Sequence, residues 1–446
     1  MMKTYKLIFA AAALAVTTVG RAQEKTEFSL LEAEEYAANN NLKVTNALLD
    51  YEAARKKVWE TTAIGLPQVN IEGQFQHLID IPTSVVDAQL FNPLAPPGEV
   101  MEFQMGQKYT TSATLTLSQL IFDGSYLVAL KFSKFYQQMS TTSIQLKEKE
   151  VRAMVRQAYY NVLVVGESVR LMDSIVQTTQ ELKNQISTFE ETGLINEEEV
   201  QQMDLALNQA VSQKKSSERQ YLVAMNLLKM SMGYDLDKDL EITEDIVDVL
   251  VEVLGTSAAG EGTIQNNSAY VMMSQQVTLD GFAIKNEKAQ MMPSLGGFFT
   301  HSQNAFRNEF NFFANEPWYP TTVWGITLKV PVTSSGMKLA KVKQAQIKLE
   351  QDQNSLKDIE NSLMFQEIQL KSSYNEAIDQ LELSKANVDL ARTLYKNQLN
   401  RKKNGMAGAL QVTQLQQQLL TAEANYIGSI MQLLNAKVEL DKLYNK

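Results

Sequence analysis

Residues 124–193 read GSYLVALKFSKFYQQMSTTSIQLKEKEVRAMVRQAYYNVLVVGESVRLMDSIVQTTQELKNQISTFEETG, and residues 336–405 read GMKLAKVKQAQIKLEQDQNSLKDIENSLMFQEIQLKSSYNEAIDQLELSKANVDLARTLYKNQLNRKKNG. Each stretch begins and ends with a glycine, contains no proline, and is interrupted by at most one further glycine, Gly166. Glycine costs about 1 kcal/mol in a helix interior and proline about 3 kcal/mol, so each stretch is predicted to form one very long helix. Some 64 helical residues give a rod of roughly 96 Å. The stretches are 212 residues apart, which indicates a duplicated unit that covers a long distance.

The chain has 446 residues, no cysteine and two histidines, His77 and His301. Without cysteine, disulfides, thiolate zinc sites and cysteine nucleophiles are excluded. The histidines fall at equivalent places of the two halves, which favours a structural role. Carboxylates are numerous, but charged helix faces account for them, and no nucleophile, phosphate loop or metal cluster stands out. We therefore expect no enzyme activity, no catalytic residue, no metal and no cofactor.

Residues 1–22 have the features of a secretory signal peptide. Lys3 and Lys6 precede a short apolar run, Leu7–Val19, and small residues flank a cleavage point before Gln23. Cleavage removes three of the 41 basic residues and none of the 51 acidic ones, which leaves 38 basic residues and a net charge of −13. Phosphate binding needs a basic surface, so nucleic acid is not expected as a partner.

The first repeat is predicted over residues 23–232. A capping box at Ser29–Glu32 begins a helix that ends near Ile64. Apolar and polar residues then alternate over 68–76 and 109–117, which predicts two strands of a hairpin at about 68–121 with a polar loop between them. The long helix and a return helix complete the repeat.

The second repeat is predicted over residues 268–446 and follows the same plan, with a β-hairpin at about 294–331 between a first helix and the long helix. Residues 233–267 are acidic and then glycine-rich, and they have no calcium-loop spacing. They are predicted to form a linker or equatorial belt between the halves.

Strands of this length, with one apolar and one polar face, fit a transmembrane β-barrel, although a half-buried sheet in a soluble domain gives the same pattern. Four strands cannot close a membrane barrel, and open edges in lipid cost several kcal/mol for each unpaired backbone group. Several copies must therefore pool their strands; two copies give eight strands and three give twelve. Aromatic residues near the strand ends are candidates for an interfacial girdle: Tyr109, Phe310, Phe312, Phe313, Trp318, Tyr319 and Trp324.

A seven-residue repeat runs through the second long helix. Tyr374, Leu381, Val388 and Tyr395 recur at this spacing, and mostly small residues follow three positions later. The pattern favours closely packed, gently supercoiled helices. A long antiparallel bundle and the wall of a tube need the same seam, so the pattern is compatible with both.

Each long helix is predicted to end in a turn at a glycine in the left-handed conformation, Gly193 in the first half and Gly405 in the second. Asn196 is expected to cap the first return helix. The first turn is acidic and the second basic. The charges are either those of solvated helix ends, or they attract the two tips to one another or dock a partner's helical hairpin. The residues concerned are Glu190, Glu191, Glu197, Glu198, Arg401, Lys402 and Lys403.

Taken together, the chain resembles the TolC-like outer membrane efflux proteins (outer membrane factors). The resemblance covers nearly all of the mature chain and depends on the order of several short motifs together with the duplication. The motifs are Ser29–Ala33 with Asn39–Asn41, Gly65–Pro67, Gln119–Gly124, Pro293–Leu295, Val330–Val332 and Leu410–Leu415.

The resemblance implies an α+β membrane protein: a homotrimer with a twelve-stranded β-barrel in the outer membrane lipid and a twelve-helix tube through the periplasm. It also implies a periplasmic adaptor (membrane fusion) protein and an inner-membrane pump of the RND or ABC type as partners. The function it implies is passive export of small molecules. A type I protein or peptide secretion duct of the same fold, and a periplasmic helical scaffold without a barrel, remain as alternatives.

In this family the periplasmic gate carries acidic residues six and nine positions after the second tip glycine. Those positions here are Gln411 and Gln414, so the acidic ring is absent from its usual place. The same offsets in the first half give Glu199 and Gln202, and Glu199 is a substitute if it faces the lumen. The resemblance thus assigns Gly193, Gly405 and these four residues to the gate.

Overall fold

The computed structural model describes residues 26–193, 195–255, 262–404, 406 and 408–446. The predicted signal peptide, residues 1–22, and the tip glycine Gly405 lie outside the described residues. No helix in the described part of the chain is long and apolar enough to cross a membrane.

The described part of the chain begins with a short strand β1 (Glu27–Phe28) and two helices, α1 (Leu30–Asn40) and α2 (Leu42–Ala63). The predicted capping box is present, because the Ser29 hydroxyl accepts a hydrogen bond from the Glu32 N–H and the Glu32 carboxylate accepts one from the Ser29 N–H. This satisfies N–H groups that a helix start leaves free.

The prediction of one continuous helix as far as Ile64 was wrong at Asn41, which separates α1 from α2 with extended backbone. The Asn41 side chain donates to the Ser231 carbonyl at 2.7 Å and accepts from the Lys43 N–H at 2.8 Å. An asparagine that bonds locally in this way offers the backbone an alternative to the helix.

The first hairpin consists of β2 (Gln68–His77) and β5 (Tyr109–Asp123), which pair antiparallel. The strand predicted to end at Leu117 continues to Asp123. The connection predicted as a plain loop contains a second hairpin, β3 (Thr83–Asp87) with β4 (Val100–Gln104). Its valines favour extended backbone, but the prolines on either side obscured that signal.

The first long helix is α3 (Gly124–Glu191), of 68 residues, and the return helix is α4 (Glu197–Met232). The segment predicted as a linker or equatorial belt then holds a short strand, β6 (Glu241–Ile242), which pairs in parallel with β1, and the apolar helix α5 (Ile246–Gly255). Its described residues thus include packed elements.

The second half repeats this order with α6 (Ser268–Ala289), β7 (Ser294–Arg307), β8 (Tyr319–Lys329), α7 (Met337–Lys403) and α8 (Ala409–Leu443). The second long helix, α7, has 67 residues. Both long helices are continuous over the proline-free stretches, as predicted. The α7 seam is buried along its length, with Tyr374, Leu381, Val388 and Tyr395 all inside.

One antiparallel sheet of four strands, in the order β2-β5-β7-β8, joins the hairpins of the two halves. The predicted faces are present in the first hairpin, because Val69 and Ile71 pair with Leu117 and Leu115. On the other face, the Thr114 and Ser302 hydroxyl oxygens lie 3.0 Å apart across β5 and β7. Rings of four aromatic residues pack together at one end: Phe75, Tyr109, Phe310 and Phe312.

The chain divides into two compact units. Among the described residues, one lies within 26–48, 143–255, 262–271 and 359–446, and the other within 49–142 and 272–358. The core of the first unit is built on valines and tyrosines of α3 and on leucines of α8. Beside it the Arg156 guanidinium donates to Glu34 at 2.8 Å and to Asp441 at 3.1 Å, which ties α1 and α8 to α3.

Candidate functional site at the helical tips

The turn that joins α3 to α4 is the first tip, and the turn that joins α7 to α8 is the second tip. At the first tip, α3 ends at Glu191 and Gly193 has a φ of 73°, the left-handed conformation predicted for it. The Gly193 N–H donates to the Glu190 carbonyl at 2.8 Å. A residue with a Cβ is strained in this conformation, so glycine is the residue that the turn requires.

The start of α4 differs in one respect from the prediction. Asn196 occupies the N-cap position, but its side chain makes no capping hydrogen bond. Its backbone carbonyl instead accepts from the Glu199 N–H at 3.0 Å. Glu197, Glu198 and Glu199 fill the first helical turn as predicted, where the positive end of the helix dipole favours carboxylates.

At the second tip, the Met406 N–H donates to the Arg401 carbonyl at 2.8 Å, and α8 begins after Gly408. Of Lys403 only the backbone is described.

An ion pair joins the two tips. The Glu199 carboxylate accepts from the Lys402 ammonium and, at 3.3 Å, from the Ala409 N–H at the start of α8. The Lys402 side chain is only 5% exposed. Burying an ammonium is costly unless it is paired, so this contact, the Glu199–Lys402 latch, fixes α4 against α7 and α8.

The other predicted gate residues lie in different surroundings. Gln411 accepts from the Gln398 side chain at 2.9 Å, which links α8 to α7. Gln414 is exposed. The Gln202 side-chain oxygen, Oε1, is buried without a hydrogen-bond partner in the described structure. The structure therefore brings Glu199 to the second tip but does not cluster it with the three glutamines through direct hydrogen bonds.

Of the residues predicted for tip charge pairing, Lys402 alone forms an ion pair among those whose side chains are described. Its partner, Glu199, was assigned to the gate and not to the charge pairing. Glu197 accepts from the Gln201 side chain at 3.0 Å, and Glu191 and Glu198 are exposed.

A small apolar core supports both tips. It includes Ile186 of α3, Met203 of α4, Tyr395 of α7 and Val412 of α8. Burial raises the pKa of the Tyr395 hydroxyl to about 12, so this side chain stays neutral. The core makes the tips one packed structure within the chain.

A groove of about 640 Å³ runs between α4 and α8 beside this core. The Gln416 side chain lies in it, donates to the Thr179 hydroxyl at 2.5 Å and leaves its own carbonyl oxygen without a described partner. The sequence analysis missed Gln416, and the available signal was a polar residue at a buried helical position. The described residues contain no group of three or more histidine or carboxylate side chains placed to hold a metal ion.

Residues 263–446 match the family model of the outer membrane efflux protein. The predicted resemblance to these proteins is confirmed. The matched range contains the whole predicted second repeat, including its tip and the Leu410–Leu415 motif. No curated protein sequence matches the chain.

In structure the chain is similar to outer membrane channels at low sequence identity. The CmeC channel of Campylobacter jejuni is 15% identical, over 93% of this chain and 85% of that chain, with a TM-score of 0.67. The open-state MtrE channel of Neisseria gonorrhoeae is 14% identical, over 93% and 88%, with a TM-score of 0.68. VceC of Vibrio cholerae is 12% identical, over 93% and 96%, with a TM-score of 0.65. At these identities the comparison establishes the fold.

Proposed function

We propose that this protein is the outer membrane exit duct of a tripartite efflux system, through which small molecules pass passively. Three copies form it, with a twelve-stranded β-barrel in the membrane and a twelve-helix tube in the periplasm. The family match of residues 263–446 and the fold of the outer membrane channels support this proposal.

The observation that carries it is the open four-stranded sheet. In the described structure β2 and β8 are each paired on one side only. The apolar face is also bare, with Ile71 74% and Trp324 76% exposed. An apolar face next to an unpaired edge is an aggregation site in water, whereas lipid covers the face and neighbouring copies pair the edges in a closed barrel.

The helical tips would be the periplasmic mouth of the duct. The Glu199–Lys402 latch lies where the resemblance places the gate, and it joins α4 of the first half to α7 and α8 of the second half. We propose that breaking the latch opens the mouth, and that a periplasmic adaptor and an inner-membrane pump of the RND or ABC type engage this end. The amide side chains of Gln411 and Gln414 leave the mouth without the family's acidic ring.

The test is to extract the full-length protein from outer membranes in detergent, measure the particle mass by light scattering, and record conductance in planar lipid bilayers. The proposal predicts three chains per particle and a conducting pore. A water-soluble protein that forms no pore contradicts it and favours a periplasmic helical scaffold. A pore that co-purifies with a peptide exporter and passes a polypeptide instead favours the type I secretion duct.

A further inference from the structure

We propose that Asp280 of α6 and Asp352 of α7 form a proton-binding site in which the two carboxyl groups share one proton that holds the helices together. This inference goes beyond the proposed function and does not depend on it.

The pair lacks one hydrogen-bond donor, which the described neighbouring side chains do not supply. Asp280 and Asp352 are each 6% exposed. The Asp280 Oδ1 atom accepts from the Gln276 side chain at 3.1 Å, and the Asp352 Oδ1 atom accepts from the Lys348 ammonium at 2.7 Å. The Asp280 Oδ2 atom is buried and has no hydrogen-bond partner among the described residues.

The group that Asp280 faces is the Asp352 carboxyl, within hydrogen-bonding reach. Ionised carboxylates only accept hydrogen bonds, so two of them in contact repel each other. If one carboxyl is protonated, its O–H donates to the other, and such charge-assisted hydrogen bonds are short and strong. A single proton therefore satisfies the orphaned oxygen and removes the repulsion.

The charges that face the pair favour this proton. Among the described residues Lys348 is the one cation that acts on the pair, so it balances one carboxylate and leaves the second uncompensated. Burial first, and then Asp352, raise the pKa of the Asp280 carboxyl. The hydrogen bonds from Lys348 and Asp280 lower the pKa of Asp352. Interacting carboxyls of this kind titrate as a pair, and the proton belongs to both.

The first half of the chain lacks this site. Its helices are offset by 226 residues at the ends of α2 and α6 and by 212 at Gly124 and Gly336. The positions equivalent to Asp280 and Asp352 are then Ala54 and Ser140, neither of which titrates. The two carboxyl groups are therefore a feature of the second half alone.

The pair makes the contact between α6 and α7 strongest over a window of pH. As pH rises through the raised pKa of Asp280, the shared proton leaves and the two carboxylates repel. As pH falls through the lowered pKa of Asp352, the ion pair with Lys348 is lost. The contact between α6 and α7 is thus expected to weaken both above the raised pKa of Asp280 and below the lowered pKa of Asp352.

Infrared difference spectroscopy on the full-length protein in detergent tests for the proton, because a protonated carboxyl group has its own stretching band. At about pH 5 an ordinary aspartate is about nine-tenths or more ionised. In wild-type-minus-variant spectra for both Asp280→Asn and Asp352→Asn, we expect a titrating carboxyl band that persists to higher pH than that of an ordinary aspartate. Asp358→Asn, which changes an exposed carboxylate on the same helix, is the control and should leave the band in place.

Hydrogen exchange of the α6 backbone gives a second readout, corrected for the intrinsic pH dependence of exchange. Wild-type protection should fall as pH rises, by about tenfold for each unit by which the pKa of the pair is raised, and Asp280→Asn should remove this dependence while keeping α6 protected. A band that is unchanged in both variants overturns the proposal. So does protection that follows the concentration of sodium or calcium instead of pH, because a metal cation then occupies the site.

Discussion

The two long helices differ most where one is covered within the chain and the other is not. Positions 212 residues apart are equivalent in α3 and α7, so Ala153 and Arg156 correspond to Phe365 and Ile368. On α3 the first residue is buried, and the second is held by Glu34 of α1 and Asp441 of α8. On α7 the two apolar side chains are 70% and 69% exposed.

This bare face continues along α7. Leu383 and Leu390 lie 18 and 25 residues after Phe365, which is five and about seven helical turns, and both are exposed. A row of large apolar residues on one helical face is a buried stripe in most proteins. The comparison teaches that α1 covers the first long helix within the chain, while the described chain leaves this face of the second long helix bare, and the proposed trimer would cover it.

The largest expected effect comes from placing charges on this face. Phe365→Asp together with Ile368→Asp should dissociate the oligomer, because each of these side chains contributes about 1.5–3 kcal/mol when it is buried, and a buried carboxylate opposes assembly further. Light scattering in detergent measures the particle mass. Gln380→Asp, at an exposed polar position of the same helix, is the control. An intact oligomer in the double variant would remove α7 from the interface.

The second prediction compares the acidic first tip with the basic second tip. Lys402→Glu should shift the equilibrium between the closed and open pore toward the open state by about a hundredfold, because the reversal replaces the buried ion pair with two carboxylates, a loss of about 3 kcal/mol or more. Single-channel recording in bilayers measures it. Arg401→Glu makes the same charge change next door, where no ion pair exists among the described side chains, and should have little effect.

Combining Glu199→Lys with Lys402→Glu should restore the closed behaviour of the wild type. If Lys402→Glu and Arg401→Glu change conductance equally, the general charge of the tip matters and the latch does not.

The third prediction uses two buried tyrosines, one on each long helix. The Tyr159 hydroxyl donates to the Phe28 carbonyl at 3.1 Å and also accepts from the Glu244 N–H, whereas the Tyr374 hydroxyl donates to the Val253 carbonyl at 3.1 Å. Tyr159→Phe removes two hydrogen bonds and Tyr374→Phe removes one, and each lost bond should cost about 0.5–1.5 kcal/mol. Tyr159→Phe should lower the unfolding temperature more than Tyr374→Phe, and the reverse order would contradict this account of the two cores.

The smallest effect is expected from a pH-dependent pair that joins α7 to α8 and has no counterpart between α3 and α4. Burial raises the pKa of the Glu423 carboxyl, and its hydrogen bond from Arg392 at 3.1 Å offsets only part of that. Because the pKa of Glu423 is raised in the folded state, its contribution to the free energy of unfolding is fully present below the ordinary value of 4.5. That contribution is lost as pH rises through the folded-state pKa. Glu423→Gln should flatten this dependence in thermal unfolding between acidic and neutral pH. The equivalent residues of α3 and α4, Gln180 and Val211, carry no charge, so Gln180→Ala should leave the pH dependence as it is.

The repeated framework was predictable because it rests on local chemistry. Proline and glycine are absent from the long helices, a capping box begins at Ser29, and alternation marks β2 and β5, so each of these elements was expected from neighbouring residues. The hairpin of β3 and β4 was missed because prolines lie close to both strands. The break at Asn41 was missed because its cause is a hydrogen bond to Ser231, 190 residues away.

The candidate site was less predictable than the fold. The spacing after the tip glycines selected Glu199, and the charge run selected Lys402, but nothing in the sequence paired them. Their contact joins residues 203 positions apart and depends on how α4 packs against α7 and α8. The same holds for Asp280 and Asp352, because a pair of aspartates on two helices becomes a site only when the helices bring them together.

The central claim is that copies of the chain close a barrel through β2 and β8, and disulfide cross-linking tests it most directly because the chain has no cysteine of its own. One variant would carry Ile71→Cys in β2 and a second cysteine at Pro320, Thr322 or Trp324 of β8 in turn. Within one chain these strands are three strand spacings apart, roughly 14 Å, which is too far for a disulfide. The account predicts that oxidation of one of these variants in membranes gives a ladder that ends at three chains. A failure of every variant to cross-link, or a ladder that ends at another number, would contradict it.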